Sequence, residues 1–191
     1  LRFHLEVHPA MLGKPVRLAL AQAPPGQLHI EAGLQTSSAA ALDALDRPGD
    51  PDAAWDGLAF LCGLRNLAVH ADLLAGLPGV PLEHLSGDLT RLFALGPAEI
   101  QLETLKRLPG TPLCGRADRL GLVFAPDPPY EVLRSDAMSA ADLDRARLLS
   151  RLVDAYYNDP RLQPVLRRTV AAAPAFMSWL LDALVAGGAA G

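Results

Sequence analysis

The amino-acid sequence predicts an α/β protein: a partial (β/α) barrel of about four parallel strands with a C-terminal helical extension. The first observation is a repeat, in which strand-like runs at 2–7, 27–32, 68–75 and 98–105 are separated by longer stretches with helical spacing. The second is that this alternation stops after Leu105. Parallel neighbours need a long crossover connection, which a helix provides, so this pattern favours a parallel sheet or barrel.

Turn and capping residues bound the helices between these strands. Pro24-Pro25-Gly26 closes the first helix, Thr36-Ser37-Ser38 offers N-caps to the second, and Pro48-Gly49-Asp50 precedes a third helix at about 51–66. Gly76-Leu77-Pro78-Gly79 then turns the third strand into a helix at about 81–95.

The pattern changes after the fourth strand. Residues 107–138 are rich in Pro, Gly and Asp, and predict an extended covering segment with one helical turn near 113–119. Ser139 and Asp142 predict a capping box that opens a helix to about Tyr157, and two more helices are predicted at 160–168 and 174–186. The predicted organisation has three parts: the partial barrel at 1–112, the covering segment at 113–138 and the helical region at 139–191.

Composition excludes several classes of protein. The 191 residues include 17 Lys and Arg against 21 Asp and Glu, a net charge of −4, which argues against a nucleic-acid binder that relies on a general basic field. The 2 cysteines, Cys62 and Cys114, form no CxxC pair, and we expect Cys62 in the core and Cys114 in a loop. No apolar run is long enough to span a bilayer. We expect a cytoplasmic protein without nucleic-acid or membrane partners.

Polar residues share one face of every predicted strand, because side chains alternate along a strand. These residues are His4, Glu6 and His8, then His29, Glu31, Gly33 and Gln35, then His70 and Asp72, and finally Glu99, Gln101 and Glu103. Strands buried under helices on both sides would be apolar on both faces. We interpret the apolar face as packed on helices and the polar face as the lining of a wet cavity. A sheet with one solvent-exposed face stays an alternative.

Four segments resemble the later strands of radical SAM enzymes, in the same order and spacing. They are Phe3-His-Leu-Glu-Val-His-Pro9, Glu31-Ala-Gly-Leu-Gln-Thr36, His70-Ala-Asp-Leu-Leu-Ala-Gly-Leu-Pro-Gly79 and Leu105-Lys-Arg-Leu-Pro-Gly-Thr-Pro112. They are most similar to the branch of oxygen-independent coproporphyrinogen oxidases and, within it, to cobalamin-binding-domain radical SAM proteins of unassigned substrate. The resemblance implies strands three to six of a (β/α)6 barrel.

The resemblance also implies parts that this sequence lacks. In such enzymes a CxxxCxxC loop after the first strand binds a [4Fe–4S] cluster, and two cysteines cannot supply it. The chain starts at Leu1 rather than Met, inside a predicted strand, so we expect a C-terminal part that is inactive alone and holds no metal itself. The complete enzyme would use flavodoxin or ferredoxin as reductant, with cobalamin in a fused upstream domain as an open option.

Candidate cofactor residues follow from the resemblance. Glu6 resembles the carboxylate that binds S-adenosylmethionine, Gln35 a cofactor-binding amide, and Arg47 the cation that reaches the cofactor carboxylate. Asp72 resembles the acid that holds the ribose hydroxyls. An ammonium group and ribose hydroxyls call for carboxylates and a carboxylate calls for a cation, so the residue types agree with these roles. The implied reaction is reductive cleavage to a 5'-deoxyadenosyl radical.

Further residues receive less specific roles. Gly76 and Gly79 resemble the turn that lets backbone approach the adenine, and Val80 departs from the acidic or amide residue that is common after that glycine. Polar side chains predicted to line a substrate site are His8, His70, Gln101 and Glu103. Structural roles stay open for all of these: salt bridges for the carboxylates, helix-end capping for Arg47, and backbone conformation alone for the glycines.

Two other functions remain as alternatives. One is a catalytically inactive barrel remnant that acts as an interaction module. The other is a hydrolase with a divalent metal on His4, Glu6 and His8, which share one strand face, with His29, His70 and Asp72 nearby. An unpaired edge of the first strand would also favour self-association.

Overall fold

The computed structural model describes residues 1–187. Its main sheet has four parallel strands in the order β1-β2-β3-β4, as the strand pattern predicts. The strands are β1 Phe3–Val7, β2 Leu28–Gln35, β3 Leu67–Ala75 and β4 Glu99–Thr104. The predicted α/β class, with a partial barrel sheet, is confirmed.

Helices occupy the crossovers between these strands. They are α1 Lys14–Gln22 after β1, α2 Ala39–Ala44 and α3 Pro51–Gly63 after β2, and α4 Leu82–Leu95 after β3. Ser38 and Asp50 cap α2 and α3 by accepting hydrogen bonds from the backbone N–H groups of Ala41 and Ala53. Ser38, from the segment predicted to supply an N-cap, therefore begins the short helix α2, and Asp50, from the predicted break, begins α3.

The apolar face of the sheet forms the core only where a helix covers it. Ile30, Ala71 and Ile100, on the three later strands, are fully buried. On β1, by contrast, Phe3 is 44% exposed and Leu5 is 41% exposed. The expectation that every strand packs its apolar face on helices is therefore wrong for the first strand, because no element among residues 1–187 covers those two side chains.

The covering segment has more regular structure than predicted. Instead of one helical turn it contains two 3₁₀ turns, Pro112–Gly115 and Asp118–Leu120. A small antiparallel pair follows, β5 Val123–Phe124 and β6 Val132–Arg134. These strands are too short to show a period of two in the sequence.

The helical region begins where the sequence predicts. The side chain of Ser139 accepts from the backbone of Asp142, and Asp142 reciprocates, which is the predicted capping box at the start of α5, Ala140–Leu152. A π-helical turn, Val153–Tyr157, continues α5, followed by α6 Gln163–Ala172 and α7 Phe176–Ala186. The last four residues of the predicted region 139–191 lie outside the described residues.

No single helix within residues 1–187 combines the length and the apolar composition needed to cross a membrane. The helices α6 and α7 meet those criteria only when taken together, and they are bent by 104° relative to each other.

Candidate functional site

The strand register brings the polar side chains into rows across the sheet. Glu6 pairs with Glu31, Glu31 with His70, and His70 with Glu99, so one row crosses all four strands. Exposure falls toward the middle of the sheet: the His70 side chain is 12% exposed, against 34% for Glu31. The polar face predicted from alternation is therefore present, and its centre is largely shielded from water.

Arg47 reaches this face because of the way α2 ends. Asp46 takes a left-handed conformation, with φ of 52°, and the Arg47 N–H bonds back to the Leu42 carbonyl at 2.9 Å, as in a Schellman motif. The Arg47 Nη2 then donates to the Gly33 carbonyl oxygen at 2.7 Å. Burial lowers the pKa of Arg47, and the nearby Glu6 and Asp72 carboxylates oppose that change. Three of the predicted cofactor residues thus come together.

Gln35 joins the same group through an irregularity in β2. The pairing of β2 with β3 shifts between Gly33 and Gln35, and Gln35 has a φ of 68°. A Cβ added at Gly33 would lie 2.6 Å from Gln35 Nε2 and 3.1 Å from Arg47 Nη2. Only a glycine leaves room for both side chains, so Gly33 is a site residue that the sequence analysis placed on the polar face without assigning it a role.

Asp72 is the most perturbed acid of the site. Burial raises its pKa to about 6; His70 lowers it, Glu31 and Glu6 raise it, and Arg47 lowers it. Its Oδ1 lies 3.2 Å from His70 Nε2 but makes no well-aligned hydrogen bond. A carboxylate held in this way is suited to accept hydrogen bonds from a ligand.

The turn after β3 is shaped by packing and by an acid from the covering segment. Gly76 has a φ of 83°, and a Cβ there would lie 2.5 Å from Val132 Cγ1, so its observed role is close packing against β6. Gly79 has a φ of 66°, and its N–H donates to Asp136 Oδ1 at 2.8 Å. Val80 is buried in the core. Asp136 therefore supplies the polar anchor that Val80 cannot.

A buried acid on α4 also holds the turn after β2. Asp88 is 5% exposed, and its Oδ2 accepts from the Ser37 N–H at 2.8 Å and from the Thr36 hydroxyl at 3.4 Å. This arrangement fixes the chain directly after Gln35. The sequence offers no signal for this contact, because Asp88 lies 51 residues from Ser37 along the chain.

A cavity of about 330 Å³ lies at the carboxyl ends of β2, β3 and β4, under the covering segment. Its apolar wall includes Leu74, Leu77 and Leu105. Its polar groups are Gln35, Arg47, Lys106, Thr111 and Arg116. The cavity thus combines an apolar wall with three cationic side chains, next to the group formed by Glu6, Arg47 and Asp72.

The predicted substrate-lining residues are not all in one place. His8 faces the turn after Arg47, where a Cβ on Gly49 would lie 2.8 Å from its Cε1. Gln101 Nε2 donates to Glu103 at 3.3 Å, and Lys106 donates to the same carboxylate at 2.9 Å. The hydrogen bond from Lys106 lowers the pKa of Glu103. His70 lies in the polar row, whereas Gln101 and Glu103 lie further along the edge strand β4, with Gln101 opposite Asp72.

His4, Glu6 and His8 form no metal-competent group among residues 1–187. The Nε2 of His4 is instead 2.7 Å from Glu31, and its ring stacks on that of His29, with centroids 4.7 Å apart. The structure therefore does not support the hydrolase alternative on these three side chains. A different group, His29, His70 and Glu99, comes together on β2, β3 and β4.

Comparisons with known proteins support the fold. Residues 118–176, less than half of the chain, match a family described as "Protein of unknown function (DUF4080)". A comparison with curated protein sequences finds no match. The structure resembles coproporphyrinogen III oxidase (HemN) from Escherichia coli, described as a radical SAM enzyme, at 13% identity and a TM-score of 0.47, over 80% of this chain and 55% of that one.

A second structural neighbour is the radical S-adenosylmethionine methyltransferase TsrM from Kitasatospora setae, whose structure has cobalamin and a [4Fe–4S] cluster bound. It is 19% identical, with a TM-score of 0.53, over 76% of this chain and 30% of that one. The chain therefore spans about half of one neighbour and less than a third of the other. The predicted resemblance is confirmed at the level of the fold: this chain has four parallel strands arranged as in part of the TsrM fold, with helices added at its C-terminus.

Proposed function

We propose that the chain is the C-terminal part of a radical SAM enzyme and contributes part of the S-adenosylmethionine pocket. The observation that carries the proposal is the convergence of Glu6, Gln35, Arg47 and Asp72, which come from four different segments of the chain. Packing of the core does not require these four polar side chains to meet on the polar face.

The chemistry of the group fits this cofactor. The amino-acid moiety of S-adenosylmethionine has an ammonium group and a carboxylate, and its ribose has two hydroxyls. Arg47 suits the carboxylate, and Glu6 and Asp72 suit the ammonium and hydroxyl donors. The Asp72 Oδ1 lies 3.2 Å from His70 Nε2 without a well-aligned hydrogen bond, so it can still accept from such a donor. The adjacent cavity, with its leucine wall, accommodates an apolar portion of a ligand.

Other parts of the machinery would come from outside this chain. The [4Fe–4S] cluster would be bound upstream, because this chain has only Cys62 and Cys114 and they lie on different elements. When bound together, the cofactor and cluster supply the radical chemistry through reductive cleavage. The protein would act in the cytoplasm with a flavodoxin or ferredoxin reductant, with cobalamin as a further cofactor upstream, on a substrate that the chain does not identify.

Titration of the chain with S-adenosylmethionine or its unreactive aza analogue, followed by NMR or calorimetry, tests the proposal. Arg47→Gln and Asp72→Asn should each weaken binding roughly tenfold to a hundredfold, because each removes a hydrogen bond to a charged group. Arg65→Gln is the matched control: it removes one positive charge from an exposed residue just after α3 that does not line the cavity.

The control variant should bind like the wild type. Equal binding by the wild type, Arg47→Gln and Asp72→Asn would contradict the proposal. A chain that binds no cofactor but does bind a protein partner would favour the interaction-module alternative.

A further inference from the structure

We propose that His29, His70 and Glu99 bind a divalent transition-metal ion of the zinc type. The three residues lie on the neighbouring strands β2, β3 and β4, and one ligand atom from each lies within 4.8 Å of the other two. Zinc bonds of about 2.0–2.1 Å in tetrahedral geometry place ligand atoms roughly 3.3 Å apart. Small side-chain rotations therefore suffice to close the group around an ion.

Unpartnered nitrogen atoms mark the same place. The Nε2 atoms of His29 and His70 are buried and make no well-aligned hydrogen bond within the described part of the chain; the only polar contact recorded for either is that of His70 with Asp72 Oδ1 at 3.2 Å. The large majority of buried polar side-chain atoms in proteins have a hydrogen-bond partner, so two buried imidazole nitrogens on adjacent strands that make no well-aligned hydrogen bond need an explanation. A metal ion between them provides one, because it accepts a lone pair from each ring.

The protonation state agrees with this role. Metal ligation requires a neutral imidazole. Burial lowers the pKa of His29, as do His4, Arg2 and His70, whereas the neighbouring Glu99 raises it. The ring of His4 also stacks on His29 and restricts its orientation.

Arg2 competes with the metal for His29. Its Nη2 donates to His29 Nδ1 at 3.0 Å, which places the imidazole proton on Nε2. An ion on Nε2 moves that proton to Nδ1, and Arg2 then has to withdraw. Arg2 is exposed near the start of the chain, so it has room to do so. Removal of the Arg2 charge should therefore strengthen metal binding.

The ligand set selects the class of ion. Two imidazoles and one carboxylate, with further positions open, form a known type of zinc site, whereas calcium and magnesium prefer oxygen ligands throughout. The group is also separate from Arg47 and Gln35, which lie at the carboxyl end of β2 and beyond it. His70 Nε2 lies 3.2 Å from Asp72 Oδ1, so the two sites adjoin, but the metal proposal uses none of the four proposed cofactor residues as a ligand.

Zinc titration by calorimetry, and cobalt titration followed by visible absorption, test the site. The wild-type chain should bind one ion. Glu99→Gln preserves the shape of an exposed residue and should weaken binding at least about tenfold, and His29→Gln should do the same. His84→Gln is the matched control, because His84 lies on α4 beside Ser37. That variant should bind like the wild type, and Arg2→Gln should bind more tightly.

Circular dichroism establishes that each variant is folded. The proposal is overturned if the wild type binds no stoichiometric zinc, or if His84→Gln loses as much affinity as Glu99→Gln. A weaker rather than a tighter Arg2→Gln complex would equally contradict it, because the positive charge of Arg2 opposes the ion.

Discussion

The two edge strands of the parallel sheet differ in whether their outward backbone N–H and carbonyl groups have hydrogen-bond partners. At β4, the side-chain amide of Asn158 pairs with the Ile100 backbone: its Oδ1 accepts from the N–H at 3.0 Å and its Nδ2 donates to the carbonyl at 2.9 Å. Further along, the Val132 N–H bonds to the Leu105 carbonyl at 2.8 Å. At β1, no element among residues 1–187 pairs with the outer edge.

Side-chain packing also differs between the two edges: it is tight beside β4 and incomplete on β1. Tyr157 is fully buried next to β4, stacks on Phe93, and donates to the Pro97 carbonyl at 2.7 Å. The apolar face of β1 exposes Phe3 and Leu5. An unpaired apolar edge favours pairing with another strand. The difference teaches that the β4 side of this sheet is complete within the chain, whereas the β1 side presents a surface suited to further strands.

The largest expected effect is the loss of stability caused by Tyr157→Ala, on the β4 side of the sheet. It removes a fully buried ring and its hydrogen bond, so we expect the free energy of unfolding to fall by about 3–5 kcal/mol. Tyr156→Ala is the control, because that neighbouring ring is 42% exposed, and it should cost under about 1 kcal/mol. Denaturant unfolding measures both. Equal losses of stability in the two variants would mean that Tyr157 does not stabilise the β4 side of the sheet.

A smaller effect is expected for Asn158→Ala. The variant leaves the Ile100 N–H and carbonyl without their partner, which should cost about 1–3 kcal/mol. Gln163→Ala removes an exposed hydrogen bond to the Ala98 carbonyl and should cost under about 0.5 kcal/mol. The same unfolding assay compares them. Loss of no more stability in Asn158→Ala than in the control would show that its pairing with β4 is incidental.

The open edge should reveal itself in association rather than in stability. We expect the wild-type chain to self-associate at high concentration through β1, and Leu5→Lys to sediment as a monomer with its stability changed by under about 1 kcal/mol. Val165→Lys is the control, because Val165 is 62% exposed on α6, and it should associate like the wild type. A wild-type chain that sediments as a monomer would contradict the expectation.

The smallest expected effect is a difference in reactivity between the two cysteine thiols. Burial raises the pKa of Cys62 to about 11, so at pH 8 roughly one molecule in a thousand carries the thiolate there. Cys114 is exposed and should react with a thiol reagent first. Because Tyr157 and Arg167 lie near Cys62, Tyr157→Ala should speed its labelling. Equal labelling rates for the two cysteines in the folded wild type would show that the structure around Cys62 opens readily.

Local patterns predicted most of the elements. The period-two alternation located all four main strands, and the Ser139 capping box located the start of α5. The alternation did not locate β5 and β6, because strands of two or three residues are too short to show a period. The single helix predicted to Tyr157 becomes π-helical from Val153, a change for which the amino-acid pattern has no simple signal.

The residues of the candidate site were also predicted only in part. Glu6, Gln35, Arg47 and Asp72 were predicted from the resemblance to radical SAM enzymes, and the structure brings them together. The supporting residues were not identified, because their contacts join distant segments: Asp136 to Gly79, and Asp88 to Ser37.

The sequence by itself determined which residue types share each strand face and where the helices begin, because both depend on neighbours within a few positions. Only the tertiary structure decided which faces meet. It brought His29, His70 and Glu99 together from three strands, and it placed Asn158 against one edge while the other edge stayed unpaired among the described residues. Strand register and edge closure depend on contacts between segments far apart in the chain, and local periodicity carries no information about them.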